Sequence, residues 1–579
     1  MKYIDFRKSE SAKLIVIMVL CFLIHIAVIN QFVGWFSTDT DGYWLHAATF
    51  TGHDWSGVAQ NLNNFYSWGY SLLLTIPFLV SSDIYVMYKI AVVINVILCC
   101  LIIPLAYILG RKIAPDMNRN ALLLCAAAVS LYSTYILESA VSLAETLIYF
   151  LVFLILWLLF RYLETDRAVW GILSGFAVGY LYIVHNRCVG IVAAYVIIAV
   201  LLSLKMRSLK RLLIMILPLA AMLLLNYGVN QWLEAVENTA GVYTRNTYGH
   251  MSNKVTNGAT LYMVISMAVS ALGSCWYMLA GTFLTAGMGL IAIGKQHIFQ
   301  NKRLTRKKLF YIYSVLSWLF MLAVSVLATY RRFPLETGRT DIYYYGRYME
   351  ATIGFFIFMG LIYLWGHRNL IRKTKEAVLC FLVTVFLSLI VYYMTNSYVG
   401  TSENYFSVTA ILMTFFYPAA EVSVKSTTIV ALVSSALIFY LFLWGRKSFR
   451  YLSVLLLCAM FVFVGYNASY SVANIYIDEA SVTNRPTANA DFNDICAYVE
   501  ENEIDALYVL SSTATEAFSW QMVLNTATVT GLLEESQLTE VEDGGIVLVK
   551  KAEQPDMSAL QVIYENETYY ICLFCQSPE

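Results

Sequence analysis

Two adjacent stretches near the N-terminus set the fold class: AKLIVIMVLCFLIHIAVINQFVG at residues 12–34 and TDTDGYWLHAATFTGHDW at residues 38–55. The first is apolar and long enough to cross a bilayer as a helix. No small-residue cleavage site follows it, so we expect an anchor rather than a cleaved signal peptide. The second holds three aspartates, two histidines and no Lys or Arg. Such uncompensated acidic charge beside a membrane helix indicates a polar site at one membrane surface.

The composition of the whole chain extends this interpretation. Of its 579 residues 59% are hydrophobic and only 13% are charged, and the mean hydropathy is +0.64. A water-soluble globular protein does not need so much apolar surface. The sequence predicts an all-α polytopic membrane protein with about 13 transmembrane helices. The expected spans are 12–34, 84–109, 119–134, 142–161, 168–184, 187–204, 211–229, 261–293, 308–329, 350–366, 376–396, 428–444 and 451–468.

Basic residues predict the orientation of these spans, because Lys and Arg near helix ends stay on the cytoplasmic side. They form seven clusters, at 2–13, 111–119, 161–167, 205–211, 295–308, 368–375 and 446–450. Thirteen spans bring all seven clusters to one side. We therefore expect a multi-pass plasma-membrane protein with a cytoplasmic N-terminus and an extracytoplasmic C-terminus. Segment 406–418 is too short to cross and is predicted to lie on or dip into the outer leaflet.

The last hundred residues differ in charge from the rest. From Asp478 onward 19 acidic residues face only Arg485, Lys550 and Lys551. Alternating helical and strand-like segments there predict a soluble acidic α/β domain at 471–579, after a transmembrane domain at 1–470. The chain has no G-x-x-x-x-G-K-[ST] or dinucleotide-binding glycine pattern, so ATP-driven chemistry within it is not expected. No nucleic-acid partner is expected either.

Ionisable residues within or beside apolar spans gather at one level. Lys89, Glu138, Glu145, His185 and Arg187 all fall near expected outer ends. Each of them alone is explained by snorkelling to the interface or by pairing with a neighbour. Together they predict an outward-facing polar chamber, because ionisable groups in hydrocarbon are costly and mark functional sites.

A second charged feature is the external segment YRRFPLETGRTDIYYYGRYME at 330–350, which carries four arginines against the positive-inside bias. A loop neutralised by its own Glu336, Asp341 and Glu350 is one explanation. The other is an anion site, because the planar guanidinium pairs bidentately with phosphate oxygens.

Opposing carboxylates and arginines suit the transfer of a sugar from a lipid phosphate. A carboxylate in the first external loop, 35–83, takes the proton of the acceptor hydroxyl, and cations stabilise the leaving phosphate. Carboxylates can also bind a divalent cation, here through Asp39, Asp41, His46, His53 and Asp54. Their spacing fits no specific ligand motif, so a divalent cation is possible and no cofactor is certain.

Five segments occur in order along the chain: TDTDGYWLHAA (38–48), YSWGYSLLLTIPF (66–78), LAETLIYFLVFLILWLL (143–159), HNRCVGIVAA (185–194) and YYYGRYMEATIGFFIFMGL (343–361). In this order they resemble the membrane glycosyltransferases of the C superfamily, specifically the family 39-like group of protein O-mannosyltransferases and aminoarabinose transferases. Two departures stand out. Cys188 replaces a frequent Pro, and Asp41 adds a second carboxylate.

The resemblance implies an inverting transferase that uses a polyprenyl-phosphate sugar and acts on an extracytoplasmic polymer, lipid or protein of the cell envelope. It implies Asp39 as the general base, preferred to Asp41, with Tyr43 and Ala47 on a following short helix. The implied phosphate-binding residues are Arg347, Tyr348, Arg187, Lys89 and Arg331. The implied supporting residues are Glu145, Tyr43, His46 and Tyr70. The absence of a Trp-Trp-Asp motif argues against asparagine glycosylation.

Two other classes remain open from the residues alone. A lipid or polysaccharide transporter, or flippase, has many spans but is expected to carry paired half-structures or polar groups at mid-depth, and the sequence shows neither. A receptor could use the acidic tail for binding, but it has no need for arginines and carboxylates at the outer membrane surface.

Overall fold

The computed structural model describes residues 8–29, 38–59, 67–237, 239, 261–299, 303–329, 341–366, 370–395, 405–413, 422–478, 490–511, 514–524, 527–553 and 556–575. Its α-helices are α1 (Lys8–Ile29), α2 (Thr38–Phe50), α3 (Ser56–Ala59), α4 (Ser71–Val80), α5 (Ile84–Ile113), α6 (Arg119–Ser130), α7 (Ser133–Ser139), α8 (Glu145–Thr165), α9 (Ala168–Val184), α10 (Val189–Met206), α11 (Leu209–Val236), α12 (Leu261–Gly281), α13 (Thr285–Ala292), α14 (Arg306–Thr329), α15 (Glu350–Trp365), α16 (Leu370–Thr395), α17 (Tyr405–Val408), α18 (Val424–Leu443), α19 (Lys447–Asp478), α20 (Ala490–Glu501) and α21 (Ala514–Val523).

A multi-pass membrane protein is confirmed by the length and exterior of these helices. Ten helices in the described part of the chain are long and apolar enough to cross a bilayer, and the pair α6–α7, bent by 53°, makes an eleventh candidate. Many large apolar side chains on these helices, such as Leu224 and Phe386, are exposed on the outside of the bundle. This is expected of a surface that faces lipid. Eleven of the expected spans each fall on one helix, while 119–134 is divided between α6 and α7 and 261–293 between α12 and α13. Helices α9 and α15 are shorter than the ten helices counted above. The count of thirteen stays a prediction.

Small residues let the helices approach closely. A Cβ at Gly175 of α9 would lie 2.5 Å from the Met215 carbonyl oxygen of α11, and one at Gly360 of α15 would overlap the Thr285 carbonyl of α13. Helices in lipid associate through such close packing, since lipid tails are as apolar as Leu and no hydrophobic force drives helix pairing. These contacts fix the rotation of α9 and α15, which lead to Arg187 and follow Arg347, respectively.

The C-terminal domain is a small α/β unit, as predicted. Its strands are β1 (Ala506–Leu510), β2 (Thr528–Leu532), β3 (Ile546–Lys550), β4 (Leu560–Glu565) and β5 (Tyr569–Phe574), in the sheet order β2-β1-β3-β5-β4. Strand β1 runs parallel to β2 and β3, while β5 is antiparallel to β3 and β4. Helix α19 extends to Asp478, past the expected boundary at residue 470, which stays a prediction.

The C-terminal domain packs on the loop that follows α1. The Trp55 ring, 3% exposed, meets the Phe518 ring edge-on with 5.6 Å between centroids. Helix α3 lies against β2 so closely that a Cβ at Gly57 would lie 2.6 Å from the Val529 carbonyl oxygen. The C-terminal domain therefore packs directly against the first loop at Trp55 and Gly57.

For segment 406–418, the structure describes α17 and a 3₁₀ turn, Thr409–Ile411. Residues 414–418 lie outside the described part, so the interfacial helix stays a prediction.

Candidate active site

Glu145 begins α8 directly after the turn that follows α7. Its side chain is 1% exposed. A carboxylate at a helix N-terminus is stabilised by the helix dipole and by unpaired backbone N–H groups. The break between α7 and α8 therefore creates a buried position for one negative charge.

Arg187 reaches this carboxylate from the hairpin between α9 and α10. It lies in a 3₁₀ turn, Asn186–Cys188, where the His185 ring nitrogen Nδ1 accepts a hydrogen bond from the Arg187 backbone N–H at 3.3 Å. The Arg187 Nη2 donates to Glu145 Oε1 at 2.8 Å. Burial lowers the pKa of His185, and the adjacent Arg187 charge lowers it further, because both disfavour a protonated ring. The Arg187 side chain is thus held beside a neutral imidazole.

Arg347 reaches the same carboxylate oxygen from the segment before α15. Its Nε donates to Glu145 Oε1 at 2.7 Å, and the residue is 9% exposed. The Arg187 guanidinium lies over the Tyr348 ring, 5.0 Å from its centroid. Two arginines of the expected phosphate site therefore meet at Glu145, and the tyrosine of that site packs on Arg187.

The charge of this cluster, formed by Glu145, Arg187 and Arg347, favours an anion. Two guanidinium groups share this carboxylate, so these three residues together carry a net charge of +1. Each guanidinium presents its N–H donors in a planar fork that suits phosphate oxygens. Glu138 is fully buried nearby, and neither of its carboxylate oxygens has a hydrogen-bond partner among the described residues.

Helix α2 carries the expected base. Asp39 lies in its first turn, and the Asp39 side chain falls outside the described part of the chain. Asp41 is fully buried, and the Thr40 hydroxyl donates to its Oδ1 at 3.4 Å. The Tyr43 ring meets the Tyr70 ring edge-on at 5.4 Å. The expected supporting tyrosines are therefore neighbours in the core.

Residues of the first loop bind several different partners. His46 Nδ1 pairs with Glu237 Oε1 at 2.8 Å, and the Thr49 hydroxyl donates to the same oxygen at 2.8 Å. His53 Nδ1 bonds the Thr51 hydroxyl, while Asp54 accepts from Ser56. No group of three His, Cys, Asp or Glu side chains that could hold a metal ion occurs among the residues that the structure describes.

Two further expected phosphate-binding residues are not brought to the cluster by described contacts. Lys89 is exposed on α5, and Arg331 lies outside the described residues. Glu350, considered above as a neutraliser of the arginine segment, accepts hydrogen bonds from hydroxyl groups instead. They come from Thr134 at 2.9 Å, Tyr132 at 3.3 Å and Tyr277.

Sequence reasoning missed two groups that support the site. Glu237, the partner of His46, directly follows α11 and has no local motif. Tyr277 stands in α12 at the end of the spacing Ser270, Gly273, Ser274, Tyr277, which is the i, i+3, i+4, i+7 pattern of one helix face. That polar or small stripe in an apolar span was a detectable signal.

No protein-family model matches the sequence, and no curated protein is similar to it in sequence. Solved structures are similar in fold. ArnT from Cupriavidus metallidurans bound to undecaprenyl phosphate superposes with a TM-score of 0.54, at 10% identity, over 97% of this chain and 98% of that one. The chain has the fold of ArnT.

This fold is the GT-C fold of membrane glycosyltransferases, as the sequence motifs implied. ArnT in the apo state gives a TM-score of 0.52 at 11% identity, over 98% of both chains. The oligosaccharyltransferase AglB from Archaeoglobus fulgidus, in complex with an inhibitory peptide and a dolichol-phosphate, gives 0.40 at 10% identity, over 95% of this chain and 70% of that one.

Proposed function

We propose that this protein is a glycosyltransferase that moves a sugar from a polyprenyl-phosphate carrier to an acceptor at the outer face of the plasma membrane. The observation that carries the proposal is the pair of arginines, Arg187 and Arg347, on the single buried carboxylate of Glu145. Bound undecaprenyl phosphate in ArnT, a protein of the same fold, supports it. The acceptor is a protein, a lipid or an envelope polymer.

The reaction assigns one step to each group. The Asp39 carboxylate takes the proton of the acceptor hydroxyl as its oxygen attacks the anomeric carbon. The bond from that carbon to the phosphate oxygen breaks, and polyprenyl phosphate leaves with the electron pair. Arg187 and Arg347 stabilise the negative charge that grows on the phosphate. Attack opposite to the leaving group inverts the anomeric centre.

The test is sugar transfer by purified protein in lipid nanodiscs from radiolabelled polyprenyl-phosphate sugars. We expect label release that Asp39→Asn abolishes, while Asp41→Asn retains part of it. Asp54→Asn is the matched control, because Asp54 belongs to the same loop but accepts from Ser56. Full turnover by Asp39→Asn would remove that residue from the role of base. No release from any donor would contradict the proposed function.

A further inference from the structure

One face of α12 holds the backbone that leads to Arg347. The Ser270 hydroxyl donates to the Ile342 carbonyl at 3.3 Å, and the Ser274 hydroxyl donates to the Tyr345 carbonyl at 3.2 Å. Between them, a Cβ at Gly273 would overlap the Tyr343 carbonyl oxygen. Segment 342–345 therefore lies directly on α12, and its carbonyls are bonded from that helix.

Tyr277 continues the same face by one turn. A Cβ at Gly346 would overlap the Tyr277 ring, so the backbone at residue 346 rests on that ring. The Gly346 N–H donates to the Ser407 carbonyl at 2.9 Å. The residue immediately before Arg347 is thus enclosed by an aromatic ring and a backbone hydrogen bond.

The Tyr277 hydroxyl joins two other segments. It donates to Glu350 Oε1, and its oxygen accepts the Ala410 backbone N–H at 3.2 Å. Glu350 opens α15, three residues after Arg347. Tyr277 is fully buried, and its hydroxyl both donates and accepts a hydrogen bond. Losing either bond would leave a buried polar group without a partner, which costs free energy.

Tyr277 therefore contacts the chain on both sides of Arg347. Its ring packs on Gly346, and its hydroxyl donates to Glu350. A long arginine side chain holds a defined hydrogen bond only when its backbone is held as well. We propose that Tyr277 is a positioning residue for donor binding, which holds the Arg347 guanidinium in register with Glu145 and the donor phosphate. This inference rests on the proposed function.

The test uses Tyr277→Phe, which keeps the ring against Gly346 and leaves Glu350 with the hydroxyls of Thr134 and Tyr132. Without this hydrogen bond the backbone on either side of Arg347 is held less firmly, and a tenfold loss of affinity corresponds to about 1.4 kcal/mol. We expect a rise of about tenfold in the Kd for undecaprenyl phosphate and in the KM for the sugar donor. The KM for the acceptor stays unchanged, because in the proposed reaction Arg347 binds the donor phosphate and not the acceptor.

Tyr195→Phe is the matched control. Its hydroxyl is also buried and lies 2.7 Å from the Ser174 hydroxyl, but it belongs to α10, two turns beyond Arg187. This variant should bind undecaprenyl phosphate as wild type does. Equal weakening in both tyrosine variants would show a general packing defect and would overturn the proposal.

A double-mutant cycle with Arg347→Gln separates positioning from general stability. If Tyr277 acts through Arg347, adding Tyr277→Phe to Arg347→Gln weakens binding no further, because the group that it positions is gone. Additive losses would overturn the inference and leave the proposed function intact. A wild-type protein that binds no undecaprenyl phosphate and transfers no sugar would overturn both.

Discussion

Arg347 Nε lies 2.7 Å from Glu145 Oε1, although the two residues are 202 positions apart in the chain. Arg187 shares that oxygen, so three segments converge on one buried atom. Opposite charges hold these segments together, and the two guanidinium groups suit an anion. The same three residues therefore stabilise the fold and form the candidate phosphate site.

Glu145→Gln should destabilise the protein by about 3 kcal/mol, because two buried guanidinium groups lose their counter-charge. The measurement is thermal unfolding in detergent. Glu164→Gln is the control, since Glu164 pairs with Lys112 and Arg161 at a half-exposed position. We also expect undecaprenyl phosphate to raise the unfolding temperature of Glu145→Gln more than that of wild type. The phosphate group of the lipid supplies the negative charge that the variant lacks. Equal ligand shifts in both proteins would contradict this.

Arg347→Gln and Lys89→Gln should differ strongly in activity. Removing a cation that stabilises the leaving phosphate lowers the transfer rate by about 100-fold. Lys89 is exposed on α5, and its loss should change the rate by less than about twofold. Single-turnover transfer from a labelled donor measures both. A comparable loss in Lys89→Gln would show that this lysine reaches the donor, as the sequence motifs implied.

Gly57→Ala should loosen the contact between the first loop and the C-terminal domain, since the new methyl would lie 2.6 Å from the Val529 carbonyl oxygen. Overpacking of this kind costs about 1–3 kcal/mol. Thermal unfolding followed by calorimetry measures the difference. Gly228→Ala is the control, because a Cβ there meets no atom within 4 Å and alanine favours the helix. Identical transitions in the two variants would show that the contact adds no stability.

His185 predicts a pH dependence of stability. Its pKa is lowered in the folded protein by burial and by Arg187, so the unfolded chain takes up a proton first as the pH falls. The stabilising contribution is present above an unfolded pKa of about 6.5 and is lost below it. Wild type should therefore lose more stability between pH 7.5 and 5 than His185→Asn does. Parallel pH profiles for the two proteins would contradict this assignment.

The local patterns of the chain predicted much of the fold. The apolar runs identified the helices because the cost of a polar group in lipid acts on each segment separately. The mixture of helical and strand-like segments predicted the α/β class of the C-terminal domain, whose five-stranded sheet carries helices in the same stretch of chain. The ordered motifs identified Glu145, Arg187 and Arg347 as members of one site.

The sequence by itself thus determined which segments are helices and which charges lie near their ends, since hydropathy and charge are read within about 20 residues. Only the tertiary structure decided that Glu145 takes both arginines, that Glu350 binds hydroxyls rather than arginines, and that Tyr277 supports Gly346. Helices in lipid are rotated and ordered by close packing and by satisfying buried polar groups. Those contacts join residues far apart in the chain, so no local pattern contains them.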